Sequence, residues 1–256
     1  MIVKGAVVQT VLFILSLLVI YYSIIRSEKG EPPKLRTIPA ILAFEELIGR
    51  ASEMGRPVNF DFGRPTLTVT SRAPQTVAAI ACMSHVARLC AAIDVPFYIA
   101  TNTQDALPAF QAAVDDAYAF EGKPSPSDAI QWLGSGWGFD QRWGTWIEEK
   151  RIAANFLIGT WWAETVYHVE HTKRVGAMAI GGDSSVGANL AVLVAGCDYA
   201  IVGEELFAAG AYLSKDKTQI GSLYGQDILK LLIAVFAVVS IILQLVGVDV
   251  VSLLST

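Results

Sequence analysis

Two long stretches without charge limit what this chain can fold into more than any other feature. The first, Ala6–Ile25, has the sequence AVVQTVLFILSLLVIYYSII, and the second, Leu231–Leu254, is interrupted only by Asp249. A helix rises about 1.5 Å per residue, so about 20 residues cross a hydrocarbon core of about 30 Å. We therefore predict membrane-spanning helices within residues 1–26 and 231–256, both in contact with membrane lipid.

The first apolar run differs from a cleaved signal peptide. It is longer than the roughly 7–15 apolar residues of a signal sequence, and no small-residue cleavage site precedes Arg26. We expect it to remain in the chain as an anchor. Gln9 and Gln244 are polar residues inside the two runs, and we predict that they help to pair the helices.

Basic residues near the two runs predict the orientation of the chain. Only Lys4 lies on the outer side of the runs, whereas the segments between them that adjoin the runs contain Arg26, Lys29, Lys34, Arg36, Lys215, Lys217 and Lys230. Lys and Arg near membrane spans favour the cytoplasmic side. The sequence therefore predicts an integral protein of the cell membrane with a cytoplasmic middle domain.

Charge and cysteine content exclude several classes of protein. The net charge is −5 and no basic stripe is present, so we do not expect nucleic acid as a partner. Cys82, Cys90 and Cys197 are odd in number and lie in apolar surroundings, as expected for reduced thiols. No Cys-x-x-Cys motif occurs, and we predict neither a metal nor a cofactor.

The middle of the chain alternates strand-like and helix-like segments. Residues 27–36 are a polar linker, residues 37–218 an α/β domain, and residues 219–230 a juxtamembrane segment. Short runs such as PVNFDFG, VPFYIAT, VGAMAIGG and DYAIVG predict strands, and TLTVTS and DAIQWLG predict two more. A long helical region is expected within 140–174. This alternation predicts a three-layer, mostly parallel, loosely Rossmann-like α/β fold.

The segment AIGGDSSVGANL is the first candidate site. A predicted strand ends in Gly181 and Gly182, and Asp183, Ser184 and Ser185 follow before the next helix. Backbone amides at such a turn can bind an anion, as in a small metabolite or nucleotide. The alternative is a tight strand-to-helix turn in which Asp or Ser caps the helix, because the Gly-Lys-Ser/Thr of a P-loop is missing.

Glu204 and Glu205 follow the last predicted strand and start a helix. Acidic residues in a first helical turn interact favourably with the helix dipole, which needs no chemistry. Ligands of α/β sheets also bind at the carboxyl ends of strands, so both residues remain candidates for ligand binding. No nucleophile or histidine is identifiable nearby, and we assign no catalytic residue.

Glu164, His168 and His171 share one face of a predicted helix. One carboxylate and two imidazoles suit zinc or iron, but the His-Glu-x-x-His arrangement of zinc proteases is absent. We therefore expect an ordinary solvated helix and no metal here.

All six tryptophans fall between residues 132 and 162. They fit an aromatic pocket, a membrane interface, a subunit contact or core packing. Gly134, Gly136 and Gly138 suggest that the first two lie on a loop. We predict a subunit interface formed by Trp132, Trp137, Trp143, Trp146, Trp161 and Trp162, with core packing as the alternative.

Three segments carry a resemblance to a known family. CDYAIVGEELFAAGAYLS, GSLYGQDILKL and LAFEELIGRASEMGRPV resemble an uncharacterised family of prokaryotic two-span membrane proteins, one of the domains of unknown function. The resemblance covers nearly all of residues 37–235. It implies a membrane-tethered α/β domain and brings no catalytic residue.

Three functions follow from these patterns as hypotheses. The first is a membrane-anchored scaffold whose α/β domain assembles into a homo-oligomer, which the tryptophan cluster and the lack of a catalytic set favour. The second is a membrane-tethered enzyme or a module that binds a small anion or nucleotide. The third is an accessory subunit that binds other subunits of a membrane energy or transport complex.

Overall fold

The computed structural model describes residues 6–30, 37–185, 187–215 and 217–245. The chain forms two units. One contains the helices α1 (Ala6–Lys29) and α9 (Lys217–Leu245), and the other is the α/β unit, Arg36–Ser214. Asp249, Val186 and part of the predicted linker lie outside the described residues.

The α/β unit contains six parallel strands in the order β3-β2-β1-β4-β5-β6, which confirms the predicted α/β class. The strands are β1 (Val58–Gly63), β2 (Phe97–Thr101), β3 (Ile130–Trp132), β4 (Ala154–Thr160), β5 (Met178–Asp183) and β6 (Tyr199–Val202). The helices are α2 (Pro39–Glu53), α3 (Ala73–Ala92), α4 (Leu107–Phe120), α5 (Gly136–Lys150), α6 (Thr165–Arg174), α7 (Ala188–Gly196) and α8 (Glu205–Ser214).

The α/β unit has three layers, a central sheet with helices on both faces, and each face has its own hydrophobic core. Alternate strand residues such as Phe60 and Phe156 pack with α2, α3, α4 and α8 on one face of the sheet. Residues of the opposite parity, such as Leu157, pack with α5, α6 and α7 on the other face. Side chains alternate between the two faces of a strand, so a sheet covered on both sides buries nearly all of its strand residues.

Strand β4 corrects one prediction, because residues 154–160 were expected within a helical region. Every residue of ANFLIGT is buried, and β4 lies between β1 and β5. A strand buried on both faces is a continuous apolar run without alternation, and such a run is difficult to distinguish from a buried helix. Two helices, α5 and α6, therefore replace the single predicted region.

The predicted strand TLTVTS, residues 66–71, is also wrong, since these residues form turns and bends. The carboxylate of Asp105 accepts hydrogen bonds from the Thr66 hydroxyl at 2.7 Å and from the Leu67 amide at 3.0 Å. Side-chain bonds of this kind offer the backbone an alternative to pairing with a neighbouring strand.

Helices α1 and α9 pack as an antiparallel hairpin. A Cβ atom added to Gly221 would lie 2.8 Å from Ile24 Cα, and one added to Gly225 would lie 2.9 Å from Ile20 Cα. The Ser27 hydroxyl donates to the Lys217 carbonyl at 2.8 Å. Small residues four apart let helix backbones approach closely, which is a common packing mode in membranes. Because α9 begins at Lys217, the predicted juxtamembrane segment 219–230 belongs to the same helix.

Three described helices are long and apolar enough to cross a membrane: α1 over Gln9–Lys29, α3, and α9. Helix α3 packs its Ala79, Cys82 and Val86 side chains into the core beneath the sheet. In contrast, α1 and α9 leave large apolar side chains exposed along most of their length. Exposed apolar surface of this extent is typical of membrane contact.

Candidate functional site

The strand order places a cleft at the carboxyl edge of the sheet. From β1, the next strands in the sequence, β2 and β3, are added towards one edge of the sheet. From β4, the strands β5 and β6 are added towards the other edge, so the strand order reverses between β1 and β4. Doubly wound sheets bind ligands at this point. The cleft of about 600 Å³ is lined by residues that follow β1, β2 and β4, together with Gly136 and Trp137 of α5. Its volume is within the range of about 300–1,000 Å³ common for small-molecule sites.

Arg64 directly follows β1 and is held by two carboxylates. Its Nη2 lies 2.7 Å from Asp140 Oδ2, and its Nε lies 3.3 Å from Glu164 Oε1. Its Nη1 also donates to the Gly136 carbonyl at 3.4 Å. The Arg64 side chain is 18% exposed. These bonds join the ends of β1 and β4 to α5, so Arg64 fixes the geometry of the cleft.

His168 lies behind this arginine with both ring nitrogens engaged. Nδ1 is 2.7 Å from Asp61 Oδ2 and Nε2 is 3.1 Å from Asp140 Oδ1, while the ring stacks on Trp143 at 4.0 Å between centroids. Burial acts to lower the pKa of His168, but the charges and hydrogen bonds of the two carboxylates outweigh it, and the pKa is raised. Carboxylates only accept hydrogen bonds, so both ring nitrogens donate and the imidazolium is favoured.

Asp140 connects the histidine to the arginine. Burial acts to raise the pKa of this carboxyl group. The hydrogen bonds and positive charges of His168 and Arg64 lower the pKa by more, so the net shift is downward. The His168 side chain has 0% exposure. A ligand in the cleft therefore cannot contact the imidazole, which acts only by positioning Asp140 and, through it, Arg64.

Asp105 organises the opposite wall of the cleft. Its carboxylate accepts bonds from Thr66, Leu67 and, at 2.6 Å, from the Thr103 hydroxyl. Burial acts to raise its pKa, but these hydrogen bonds hold the pKa well below its usual range. The ionised carboxylate thus ties the loop after β1 to the loop after β2.

Arg72 is the second arginine of the cleft, immediately before α3. Its guanidinium carbon lies 5.5 Å from the ring centroid of Trp162, a distance typical of a cation–π contact. Among the described residues, no carboxylate forms an ion pair with Arg72, whereas Arg64 has two such partners. Arg72 therefore contributes a guanidinium without an ion-pair partner among the described residues to a cleft that the ionised Asp105 also lines.

The six tryptophans divide into two groups. Trp143, Trp146 and Trp161 are buried in the α/β unit, whereas Trp132, Trp137 and Trp162 are 48%, 68% and 55% exposed. Only the exposed group presents an indole surface to a partner or ligand. The structure also corrects the expected loop, because Trp132 ends β3 and Trp137 lies in the first turn of α5.

The turn after β5 supplies none of the residues that line the cleft. Gly181 and Gly182 belong to β5 itself, and a Cβ on Gly181 would lie 2.9 Å from both Cys197 Sγ and Leu193 Cβ. Asp183 Oδ1 accepts the Ser185 amide at 2.8 Å. Burial raises the pKa of the Asp183 carboxyl group to about 6, and Oδ2 has no hydrogen-bond partner among the described residues. The hydroxyl of Ser184 is likewise buried without a described partner.

Glu204 and Glu205 lie where β6 passes into α8. The Glu204 carbonyl accepts the amides of Phe207 and Ala208, and Glu205 Oε2 accepts the Val202 amide at 3.2 Å. These bonds organise the start of a helix, as the first alternative predicts. Neither glutamate is among the residues that line the cleft between β1 and β4.

Glu164, His168 and His171 each have a different partner. Glu164 binds Arg64, His168 binds Asp61 and Asp140, and His171 Nδ1 lies 3.0 Å from Glu148 Oε1. Within the described ranges, no group of three metal-ligating side chains converges. The histidine and glutamate that were considered for a metal thus serve the Arg64 network instead.

The fold and the cleft define a doubly wound α/β protein with an open site where its strand order reverses. The chain belongs to the family described as "Domain of unknown function (DUF6754)", whose match covers residues 2–254. The predicted membership in an uncharacterised family is thereby confirmed. No curated protein and no solved structure matches the chain.

Proposed function

We propose that this protein is a membrane-anchored binding module whose α/β unit captures a small molecule with an anionic group. The observation that carries the proposal is Arg72, a guanidinium without an ion-pair partner among the described residues, in a cleft at the switch point of the sheet. Arginine pairs with carboxylate and phosphate groups in a planar, bidentate geometry. The sequence predicted a small-anion site at the turn after β5; we propose instead that the anion binds in the cleft between β1 and β4.

Binding is favoured over catalysis by the state of the polar groups. His168 is buried, with both nitrogens engaged by carboxylates, so it is not positioned as a general base for a ligand. The Thr66 and Thr103 hydroxyls donate to Asp105, whose lowered pKa disfavours proton uptake. The described residues that line the cleft include no nucleophile beside a free base.

Anchoring by the hairpin of α1 and α9 completes the proposal. The exposed apolar side chains of both helices support two membrane spans, and the basic residues near them support a cytoplasmic α/β unit at the cell membrane. In this orientation, protease added outside intact cells should leave the α/β unit undigested. Its digestion in cells that remain sealed would contradict the orientation.

Self-assembly into a scaffold is the second candidate function, and one observation favours it. Trp132 is half exposed and is not among the residues that line the cleft. Exposed tryptophan is enriched at the centres of protein interfaces. The homo-oligomer and the role as an accessory subunit of a membrane complex thus stay predictions, and both are compatible with ligand binding.

Replacing Arg72 by glutamine should abolish most ligand capture. Native mass spectrometry of the detergent-extracted chain should detect a small anionic ligand that is retained from the cell or bound after incubation with AMP. We expect the dissociation constant to rise about 10- to 100-fold in Arg72→Gln, because a charge-assisted hydrogen bond contributes about 1.5–3 kcal/mol. At AMP concentrations below the dissociation constant, occupancy should fall by the same factor.

Arg88→Gln is the matched control for this experiment. Arg88 also lies against an aromatic ring, Phe120 at 4.7 Å, but it is not among the residues that line the cleft. Its replacement should leave occupancy unchanged. Equal occupancy in both variants, or no small-molecule adduct under any condition, would contradict the proposal.

A further inference from the structure

We propose that the cleft selects an aromatic anion of mononucleotide size, with its ring on an exposed indole and its negative group at Arg72. This inference rests on the proposed function and deepens it from any small anion to one chemical class. The chemistry fits an aromatic phosphate or an aromatic carboxylate equally well. It is carried by the two exposed tryptophans of the cleft and by the contact between one of them and Arg72.

Trp137 and Trp162 provide the aromatic surface. Both line the cleft, and both are more than half exposed, although this residue type is usually largely buried. They come from different elements, since Trp137 lies in the first turn of α5 and Trp162 follows β4. Stacking of a planar ring on an indole contributes to binding with little dependence on the identity of the ring.

Arg72 fixes where the negative group lies relative to the ring. Its guanidinium lies over one face of the Trp162 ring, 5.5 Å from the centroid, and covers that part of the indole. A ligand ring that stacks on Trp137 or on the exposed part of Trp162 reaches Arg72 with a group attached directly to the ring or through a short linker. Arg64 is less suited to this role, because Asp140 and Glu164 already neutralise its charge.

The loop after β1 argues against a dinucleotide. Residues 64–72 have the sequence RPTLTVTSR, which contains no glycine, whereas the pyrophosphate of a dinucleotide needs a glycine-rich turn at this position. Thr66 and Leu67 are held by Asp105, and the Thr66 amide donates to the Thr76 hydroxyl at 3.1 Å in the first turn of α3. The loop 64–72 thus occupies the position at which a dinucleotide fold binds the pyrophosphate.

Isothermal titration of the full chain in detergent tests the inference with matched compounds. The phosphate set is AMP, ribose 5-phosphate and adenosine, and the carboxylate set is indole-3-acetate and acetate. We expect at least one ring-bearing anion to bind at least about tenfold more tightly than its ring-free or uncharged counterpart. NAD⁺ should bind more weakly than AMP if the phosphate set is the one that binds.

Two variants locate the effect. Trp162→Leu should weaken the ring-bearing anion about tenfold and leave its ring-free counterpart unchanged. Trp132→Leu removes an indole of similar exposure that does not line the cleft, and it should change neither affinity. The near-ultraviolet circular dichroism of each variant checks that the fold is intact.

The failure of this inference can be distinguished from the failure of the proposed function. If ribose 5-phosphate or acetate binds as tightly as its aromatic partner and Trp162→Leu has no effect, the aromatic selection is wrong and anion binding stands. If no anion binds, or if Arg72→Gln binds every anion as well as the wild type, both are wrong. Binding of adenosine as tight as that of AMP would also overturn the inference, since the charge would then contribute nothing.

Discussion

Replacing His168 by leucine should lower the free energy of unfolding of the α/β unit by about 3–5 kcal/mol. The substitution leaves the buried carboxylates of Asp61 and Asp140 without the donor that lies 2.7 Å from one and 3.1 Å from the other. A buried charge that loses its partner keeps its desolvation cost, and this makes the loss larger than the worth of one ion pair.

The size of this loss should depend on pH. Because the pKa of His168 is raised in the fold, its stabilisation is complete below the ordinary histidine pKa of about 6.5 and is lost as pH rises through the folded value. The pKa of Asp140 is lowered, so its stabilisation is present above about pH 4 and is lost as pH falls through its folded value. The difference between wild type and His168→Leu should therefore be largest between about pH 4 and pH 6.5.

Urea unfolding of the full chain, followed by tryptophan fluorescence, measures this effect. All six tryptophans lie in the α/β unit, so the signal reports on that unit alone. His171→Leu is the control, because His171 pairs with Glu148, which is 43% exposed, and such pairs contribute less than about 1 kcal/mol. Equal destabilisation by the two substitutions would show that the buried network has no special role.

Replacing Gly221 by leucine should separate helices α1 and α9. The first side-chain atom would lie 2.8 Å from Ile24 Cα and 3.0 Å from the Ser23 carbonyl oxygen, which are backbone atoms that cannot rotate away. Overpacking a close contact costs about 1–3 kcal/mol or more, and the hairpin has to open to accept the side chain.

Cross-linking in isolated membranes measures the separation. Glu28 Oε1 lies 3.0 Å from the Thr218 hydroxyl, so cysteines at these two positions should react together with a short bis-maleimide. Burial raises the pKa of the native Cys82 and Cys197 thiols to about 12, and that of Cys90 as well, so these thiols stay protonated and should react more slowly than the two introduced cysteines.

The cross-linked fraction should fall at least about fivefold in Gly221→Leu, given the energy of such a clash. Gln226→Leu places the same leucine side chain at an exposed position of α9 and should leave the fraction unchanged. An unchanged fraction in Gly221→Leu would contradict the close packing of the two helices.

The local sequence pattern predicts the α/β class of this fold, but it does not predict β4, one of the two strands between which the cleft lies. The strands PVNFDFG, VPFYIAT, VGAMAIGG and DYAIVG were predictable because each is a short, mainly apolar run bounded by turn residues. Strand β4 was not, since it is buried on both faces and lies between two helices in the sequence. Without β4, neither the strand order nor the switch point can be derived.

The buried residues that support the cleft left two signals in the sequence. Asp61 is a carboxylate within the buried strand VNFDFG, which demands a buried partner, but that partner lies 107 residues away in His168. Phe139, Trp143 and Ile147 recur at intervals of four on α5, which predicts that this face packs in the core. The pairing of α1 with α9 also had a signal in the sequence, because Gly221 and Gly225 are four residues apart and both lie at the contact. The predicted pairing residues Gln9 and Gln244 are exposed instead.

Hydrogen–deuterium exchange of the full chain, with and without a saturating ring-bearing anion, tests the central claim most directly. If the cleft between β1 and β4 is the binding site, the ligand should slow amide exchange in the loop 64–72 and around Trp162. Slowing confined to the turn at 181–185, or an exchange pattern that the ligand leaves unchanged, would contradict the account.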